Sequence, residues 1–379
     1  MSYTETEWKN PIHYLTTRKP EEPVHFFCPE ALQAQAKRFL DGFPGLVTYA
    51  VKSNPSEQVL TNLVAAGVTG FDVASPAEIR TMRRLAPNAA LHYNNPVRTR
   101  SELRVAVENG VCSYSVDRMS ELEKLAEVVP TKGIEVAVRF KLPVSGAYYD
   151  FGAKFGAHPN DAVKLLQKVV ELGYIPSLNF HPGTQCEEPA AYRIYIMEAS
   201  EIARKAEINV KRLNVGGGFP SMRHDDIEDL EYFFRTIKRA NRDAFGDNQP
   251  DLICEPGRGM VGDSFALAAQ VKGLRDDGAV YLNDGIYGGL SEFKMVNAVE
   301  RFVVLSPEGV IRTEETESRV VFGPTCDSSD SLMNKLDLPA DIADEDYILF
   351  QSMGAYVIGV TTDFNGFGQL QSVMVTSLS

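Results

Sequence analysis

Between residues 46 and 257 the chain alternates short β-rich runs with stretches of helical spacing. The runs are LVTYAVK (46–52), VTGFDVAS (68–75), ALHYNNP (90–96), CSYSVD (112–117), EVAVRFK (135–141), IPSLNFHPG (175–183), VKRLNVGGG (210–218) and DLICEPG (251–257). Between them, SEQVLTNLVAAG (56–67) repeats apolar residues at Val59, Leu60, Leu63 and Val64. PNDAVKLLQKVVELG (159–173) does the same and ends in Gly173, and DDIEDLEYFFRTIKRANRDAF (225–245) opens with two acids, which suit a helix N-terminus. Eight strands alternating with helices are what a parallel (β/α)8 barrel requires. An open, doubly wound sheet gives a similar alternation and is the structural rival.

After residue 262 the pattern changes. FALAAQVKGL, AVYLND, RFVVLS, SRVVFG, YILFQSM and SVMVTSL read as strands with few helical stretches between them, the signature of a second, mostly antiparallel β domain. PVHFFCP precedes the barrel and supplies a further strand candidate. The expected division is therefore a barrel over 29–262 and a β domain built from 1–28 and 263–379, meeting at a cleft, a favoured place for a small-molecule site.

Composition narrows the function classes. A chain of 379 residues has room for two or three domains, or for one barrel and an appendage. Its net charge is −13 and no basic stripe appears, so nucleic acid is not an expected partner. No apolar run is long enough for a membrane span, and the polar start MSYTETEWKNPIHYL has no signal-peptide pattern. The five cysteines (28, 112, 186, 254, 326) are scattered without metal spacing. They read as reduced, mostly buried thiols, with no metal site and a cytoplasmic location expected.

The unusual polar residues fall at strand ends. Lys52 ends the first run, Asp72 the second, Arg139 the fifth and His181 the sixth; Gly216, Gly217 and Gly218 end the seventh, and Glu255 and Arg258 the eighth. In a parallel barrel these ends converge on one face, where such barrels carry their active sites. A strand-end lysine ordinarily reaches for solvent; desolvated, its amine can form a Schiff base. Three consecutive glycines make either a plain flexible turn or a place where main-chain N–H groups approach an anion. Glu255 and Arg258 make a surface ion pair in the bland reading, or an acid for a ring nitrogen and a cation for a phosphate. His181, followed by Gly183 and Thr184, can open a second phosphate-contacting turn. Cys326 lies in GPTCDSSD; the acids Asp327 and Asp330 favour its thiol form, which suits a proton donor.

As an ordered set, YAVKSNP, FDVASPAEI, KFGA, FHPGTQ, GGGFP, EPGRGMV, GPTCDSSD, GAY and FNGF, spread over 49–367, resemble the fold type III pyridoxal-phosphate decarboxylases of basic amino acids. That group comprises ornithine, diaminopimelate and biosynthetic arginine decarboxylases. The resemblance implies an alanine-racemase-like (β/α)8 TIM barrel plus a C-terminal antiparallel β domain. It implies that Lys52 is the Schiff-base lysine, that Glu255 pairs with the pyridine nitrogen and that His181 stacks on the ring. Asp72 and Arg139 would support cofactor and lysine. Thr184, Gly216, Gly217, Gly218, Arg258 and, from the GAY motif, Tyr356 would hold the phosphate. Cys326 would protonate Cα, Phe364 would form an apolar wall, and Asp327 with Tyr287 would meet the substrate. The family site is shared across a homodimer, Cys326 and Asp327 reaching into the partner's barrel.

The Cys-Asp-Ser motif leans to L-ornithine, with putrescine and CO2 as products in polyamine biosynthesis; diaminopimelate decarboxylases read Cys-Glu-Ser there. After YGG the chain reads LSEFKMVNAVERF instead of a tyrosine-aspartate pair, making Glu292 the nearest second acid. HPGTQ replaces the commoner HVGSQ and keeps a hydroxyl. The alternatives are lysine, carboxynorspermidine or diaminopimelate decarboxylation, a non-catalytic antizyme-inhibitor-like binding protein, and a racemase on the same barrel. Glu255 disfavours the racemase, because an acid opposite the ring nitrogen strengthens the electron sink.

Overall fold

The computed structural model describes residues 8–143, 147–149, 153–222, 229–294, 301–332 and 334–379. The chain forms two compact units: Ala36–Pro220 with Glu228–Met260, and Met1–Gln35 with Ser221–Ile227 and Val261–Ser379.

The first unit is a closed barrel of eight strands: β1 (Leu46–Ala50), β2 (Gly70–Val73), β3 (Ala90–Tyr93), β4 (Ser113–Val116), β5 (Glu135–Arg139), β6 (Ile175–Asn179), β7 (Arg212–Asn214) and β8 (Asp251–Cys254). Every neighbouring pair is parallel, and β8 closes onto β1 through Ile253 opposite Leu46. Closure removes the open-sheet rival. Each expected strand of this unit is present. The helices that follow β1, β2 and β3 begin where short polar side chains satisfy first free N–H groups. Ser56 accepts from the N–H of Val59, Ser75 precedes a proline at the first helical position, and Thr99 forms a capping box with Glu102. The helix Pro159–Glu171 ends before Gly173, whose φ of +87° is left-handed backbone that glycine adopts without strain. The helix expected over 225–245 begins at Leu230; residues 225–228 lie outside the described residues.

The second unit is β-rich. Phe265–Leu274 pairs antiparallel with Val24–Phe27 and with Tyr347–Gln351, which pairs in turn with Phe302–Leu305. The N-terminal run thus joins this sheet, and Gln371–Met374 lies parallel to it. Along the long strand, Leu267, Ala269 and Val271 enter one apolar core while Ala266 and Ala268 enter another. That is the two-residue alternation of a strand buried on both faces. SRVVFG is not one strand. It divides into the end of Thr316–Arg319 and Val321–Phe322, which pair with Leu336–Pro339 and Val280–Leu282 respectively. Among the described residues, no helix is long and apolar enough to cross a membrane.

Candidate active site

Lys52 sits in a single tight helical turn, Val51–Ser53, directly after β1. The turn is pinned by Ser53, whose hydroxyl donates to Ala50 O at 2.7 Å, and by the Ala50 N–H, which donates to Pro256 O at 3.1 Å. The Lys52 side chain is half exposed, yet its amine lies 3.6 Å from Oδ2 of Asp72, which is 3% exposed. Burial pushes the Asp72 carboxyl up from its ordinary range, and the charges of Lys52 and Arg139 pull against that rise. Arg139 ends β5 with its guanidinium 5.2 Å above the ring of Phe155, in KFGA.

Glu255 follows β8 and is buried. Its carboxyl is pushed up to about 8, first by burial and then by Asp72; Lys52, the hydrogen bond from Asn214 and Arg139 oppose the shift. Asn94 and Asn214 both donate through Nδ2 to its Oε1. β1 and β2 lie between β3 and β8, so the bond from Asn94 spans the barrel interior. These asparagines follow or end β3 and β7. Their signal in the sequence was the same as for Lys52 and Glu255, a polar side chain at a strand end, in YNNP and LNVGGG.

His181 follows β6. Its Nδ1 accepts from the N–H of Gly183 at 3.1 Å. Burial, then the charges of Arg139 and Lys52, hold the imidazole well below its ordinary range, so the ring is neutral. The glycine turn packs against this segment. Gly216 and Gly218 have φ of +71° and +89°. A Cβ on Gly217 would lie 2.6 Å from Glu255 O and 3.2 Å from His181 Nε2. Only glycine fits. Thr184 begins a short strand, Thr184–Cys186, paired with Ala147–Tyr149, and Arg258 is buried at the start of the short helix Arg258–Val261.

A second cluster lies in the β-rich unit. The Tyr287 hydroxyl donates to Oδ2 of Asp327, and the Tyr287 ring lies 4.9 Å from that of Phe364. The Cys326 N–H donates to Oδ1 of Asn365 at 3.0 Å. Cys326 is exposed rather than buried. Asp330 is buried and accepts from the N–H groups of Ile286 and Thr325, both at 3.0 Å, and from the Thr325 hydroxyl at 2.7 Å. It is an anchor for the loop that carries Cys326 and Asp327. Local sequence does not mark Asn365 and Asp330 as anchors of this loop; the contacts that make them so come from Cys326, Thr325 and Ile286. Glu292 is completely buried, not a surface glutamate; residues 295–300 of the stretch that follows it lie outside the described residues. Tyr356 holds a left-handed backbone, φ +56°.

The family model for the pyridoxal binding domain of pyridoxal-dependent decarboxylases matches residues 30–262. A probable ornithine decarboxylase of Dictyostelium discoideum is 31% identical over 342 residues, covering 84% of this chain and 72% of its own length. Among solved structures, the arginine decarboxylase of Paramecium bursaria Chlorella virus, bound to agmatine, superposes with a TM-score of 0.83 at 27% identity, over 94% of this chain and 97% of the other. The lysine/ornithine decarboxylase of Vibrio vulnificus, complexed with cadaverine, gives 0.80 at 25% identity, over 94% and 95%.

Proposed function

Because the chain belongs to the fold type III pyridoxal-dependent decarboxylases of basic amino acids, we propose that it converts L-ornithine to putrescine and CO2. The observation that supports this most is the joint presence, at one end of one barrel, of the Lys52 amine beside buried Asp72 and a buried Glu255 carboxyl.

The barrel groups fit pyridoxal phosphate. Lys52 offers an amine to its aldehyde. Glu255, held near 8 by burial, is matched to a ring nitrogen with which it can share a proton. The glycine turn packs against neighbouring backbone with no room for a Cβ and carries no side chain that would stand between its backbone and a phosphate. When bound, the coenzyme supplies an aldehyde for amines and a cationic ring that accepts the electron pair left by CO2 loss.

In this scheme Lys52 holds the coenzyme, and Asp72 with Arg139 keeps the amine in place. Glu255 holds a proton at the ring nitrogen. His181, neutral, lies against the ring without adding charge. Thr184, the Gly216–Gly218 turn, Arg258 and Tyr356 bind the phosphate. Phe364 excludes water from the departing carboxylate, where loss of charge is favoured in an apolar setting. Cys326 delivers the proton to Cα. Asp327, oriented by the Tyr287 hydroxyl, takes the distal ammonium. Glu292 is completely buried, whereas Asp327 is partly exposed beside Tyr287, which favours Asp327 for the ammonium contact. Two copies of the chain act together, Cys326 and Asp327 of each completing the barrel site of the other. Putrescine formation would put the reaction in polyamine biosynthesis, in the cytoplasm.

The relatives are named for ornithine, for lysine or ornithine, and for arginine, all cationic at the distal end. A basic amino acid is the shared class; ornithine rests on Asp327. One methylene is worth only about 1–3 kcal/mol of discrimination, so lysine is the expected side substrate. The test is CO2 release from L-ornithine, L-lysine, L-arginine, diaminopimelate and carboxynorspermidine in parallel. The highest kcat/KM should fall on ornithine; a strong preference for diaminopimelate overturns the assignment.

A further inference from the structure

Glu255 is the end of a buried polar chain that the scheme above leaves unused. Both asparagines that donate to its Oε1 have their own carbonyl oxygens engaged. Oδ1 of Asn94 accepts from the Ser115 hydroxyl at 3.0 Å, and Ser115 Oγ accepts from Nδ2 of Asn179 at 2.7 Å. Oδ1 of Asn214 accepts from the Gly216 N–H at 2.8 Å. A flipped amide would set donor against donor at the Gly216 N–H and turn a carbonyl toward the carboxylate, so the NH2 ends are directed at Glu255. Asn94, Ser115, Asn179, Asn214 and Glu255 are all buried. They come from the ends of five strands, so barrel closure alone brings them together.

We infer that Asn94 and Asn214 are positioning residues for the coenzyme's ring nitrogen: by donating two N–H groups to one oxygen of Glu255, they make that carboxyl a weaker base and leave its other oxygen to face the ring, so that the proton shared with the bound ring resides on nitrogen. The inference rests on the reading that Glu255 meets the ring nitrogen. Hydrogen bonds to a carboxylate favour its charged form and make it a weaker base. A weaker base opposite a pyridine leaves the proton on the ring, and a cationic ring is the stronger electron sink. The surrounding charges are divided: Asp72 works against ionisation of Glu255, while Lys52 and Arg139 favour it. Asn94 also favours the charged form of buried Asp72. Asn214 ties Glu255 to the Gly216 N–H, linking the carboxyl to the glycine turn.

The experiment uses holoenzyme reconstituted with pyridoxal phosphate isotopically labelled at the ring nitrogen, whose NMR shift separates pyridinium from neutral pyridine. Wild type, Asn94→Ala, Asn214→Ala, Ser115→Ala and Glu255→Gln are compared. Wild type should show the pyridinium shift. Each asparagine variant should move toward the neutral value, with kcat lower by roughly ten- to a hundred-fold, the range for a hydrogen bond to a charged group, and KM changed by less than about three-fold. Ser115→Ala should move the same way by less, and it decides the matter if an asparagine variant does not fold. Pyridinium shifts retained in the asparagine and serine variants, but lost in Glu255→Gln, overturn the inference. A pyridinium shift retained in Glu255→Gln overturns instead the reading that Glu255 faces the ring nitrogen.

Discussion

The Lys52 amine lies 3.6 Å from Oδ2 of Asp72, an exposed cation held against an almost fully buried acid. A lysine free to snorkel would turn its head into water. Here a fixed turn and a buried counter-charge keep the amine over the barrel end. Asp72→Asn should therefore loosen the amine without removing it. We expect kcat to fall by about ten-fold, with coenzyme still attached. Steady-state kinetics beside the absorption spectrum checks this; unchanged kcat would detach Asp72 from the mechanism.

Cys326 is exposed, with its backbone N–H anchored to Asn365. Replacing it with alanine leaves the anchor intact and removes the thiol. Decarboxylation should then slow, and protonation should be misdirected, giving an aldehyde beside the amine. Product analysis by chromatography after one hour's turnover reads this out. A variant with wild-type rate and only the amine as product would take the thiol out of the chemistry.

A site shared between two copies, as proposed, predicts complementation. Lys52→Ala homodimers should be nearly inactive, and Cys326→Ala homodimers strongly reduced, in amine formation. Mixed and allowed to exchange subunits, they should regain about a quarter of wild-type activity, since half the dimers are mixed and each carries one intact site. No recovery after demonstrated exchange would mean that each chain builds its site alone.

The high value at Glu255 carries a pH prediction for the coenzyme-free protein. Its carboxyl is raised in the fold from 4.5 to about 8. The folded state therefore binds the proton more tightly than the unfolded chain. The associated stability is complete below about 4.5 and is lost as pH rises through about 8. Thermal melts of the coenzyme-free protein should weaken across that window by up to about 5 kcal/mol, and Glu255→Gln should flatten the trend. An identical pH dependence in the two proteins would contradict the shift.

Gly217 tests the glycine turn. Its Cβ would fall 2.6 Å from a backbone oxygen, so Gly217→Ala must displace either the turn or the Glu255 segment. Coenzyme affinity should drop at least about ten-fold, measured by fluorescence titration. Wild-type affinity would show that the turn does not hold the phosphate.

The barrel strands and their terminal polar residues were legible because each strand is short, apolar and bounded by turn residues, with the unusual polar residues at its C-terminal end. Lys52, Asp72, Arg139, Glu255 and the glycines could be placed at strand ends from the sequence pattern, while their expected roles came with the family resemblance. Asn94 and Asn214 carry the same strand-end signal, but their importance, like that of Ser115 and Asn179, comes from bonds between strands distant in sequence. Leu336–Pro339 escaped because Asp337 and Pro339 disguise a short strand that is extended only through pairing with Thr316–Arg319. Glu292 looked like an available acid; its burial is a tertiary fact that local sequence does not carry. Asp330 reads as one of several acids in DSSD, and only the loop it ties down distinguishes it from Asp327.

The most direct test of the account is to treat purified holoenzyme with borohydride, digest it and locate the coenzyme by peptide mass spectrometry. A reduced pyridoxyl group on Lys52, absent from the Lys52→Ala variant, is the predicted result. A pyridoxyl group on another lysine, or none on any, would contradict it.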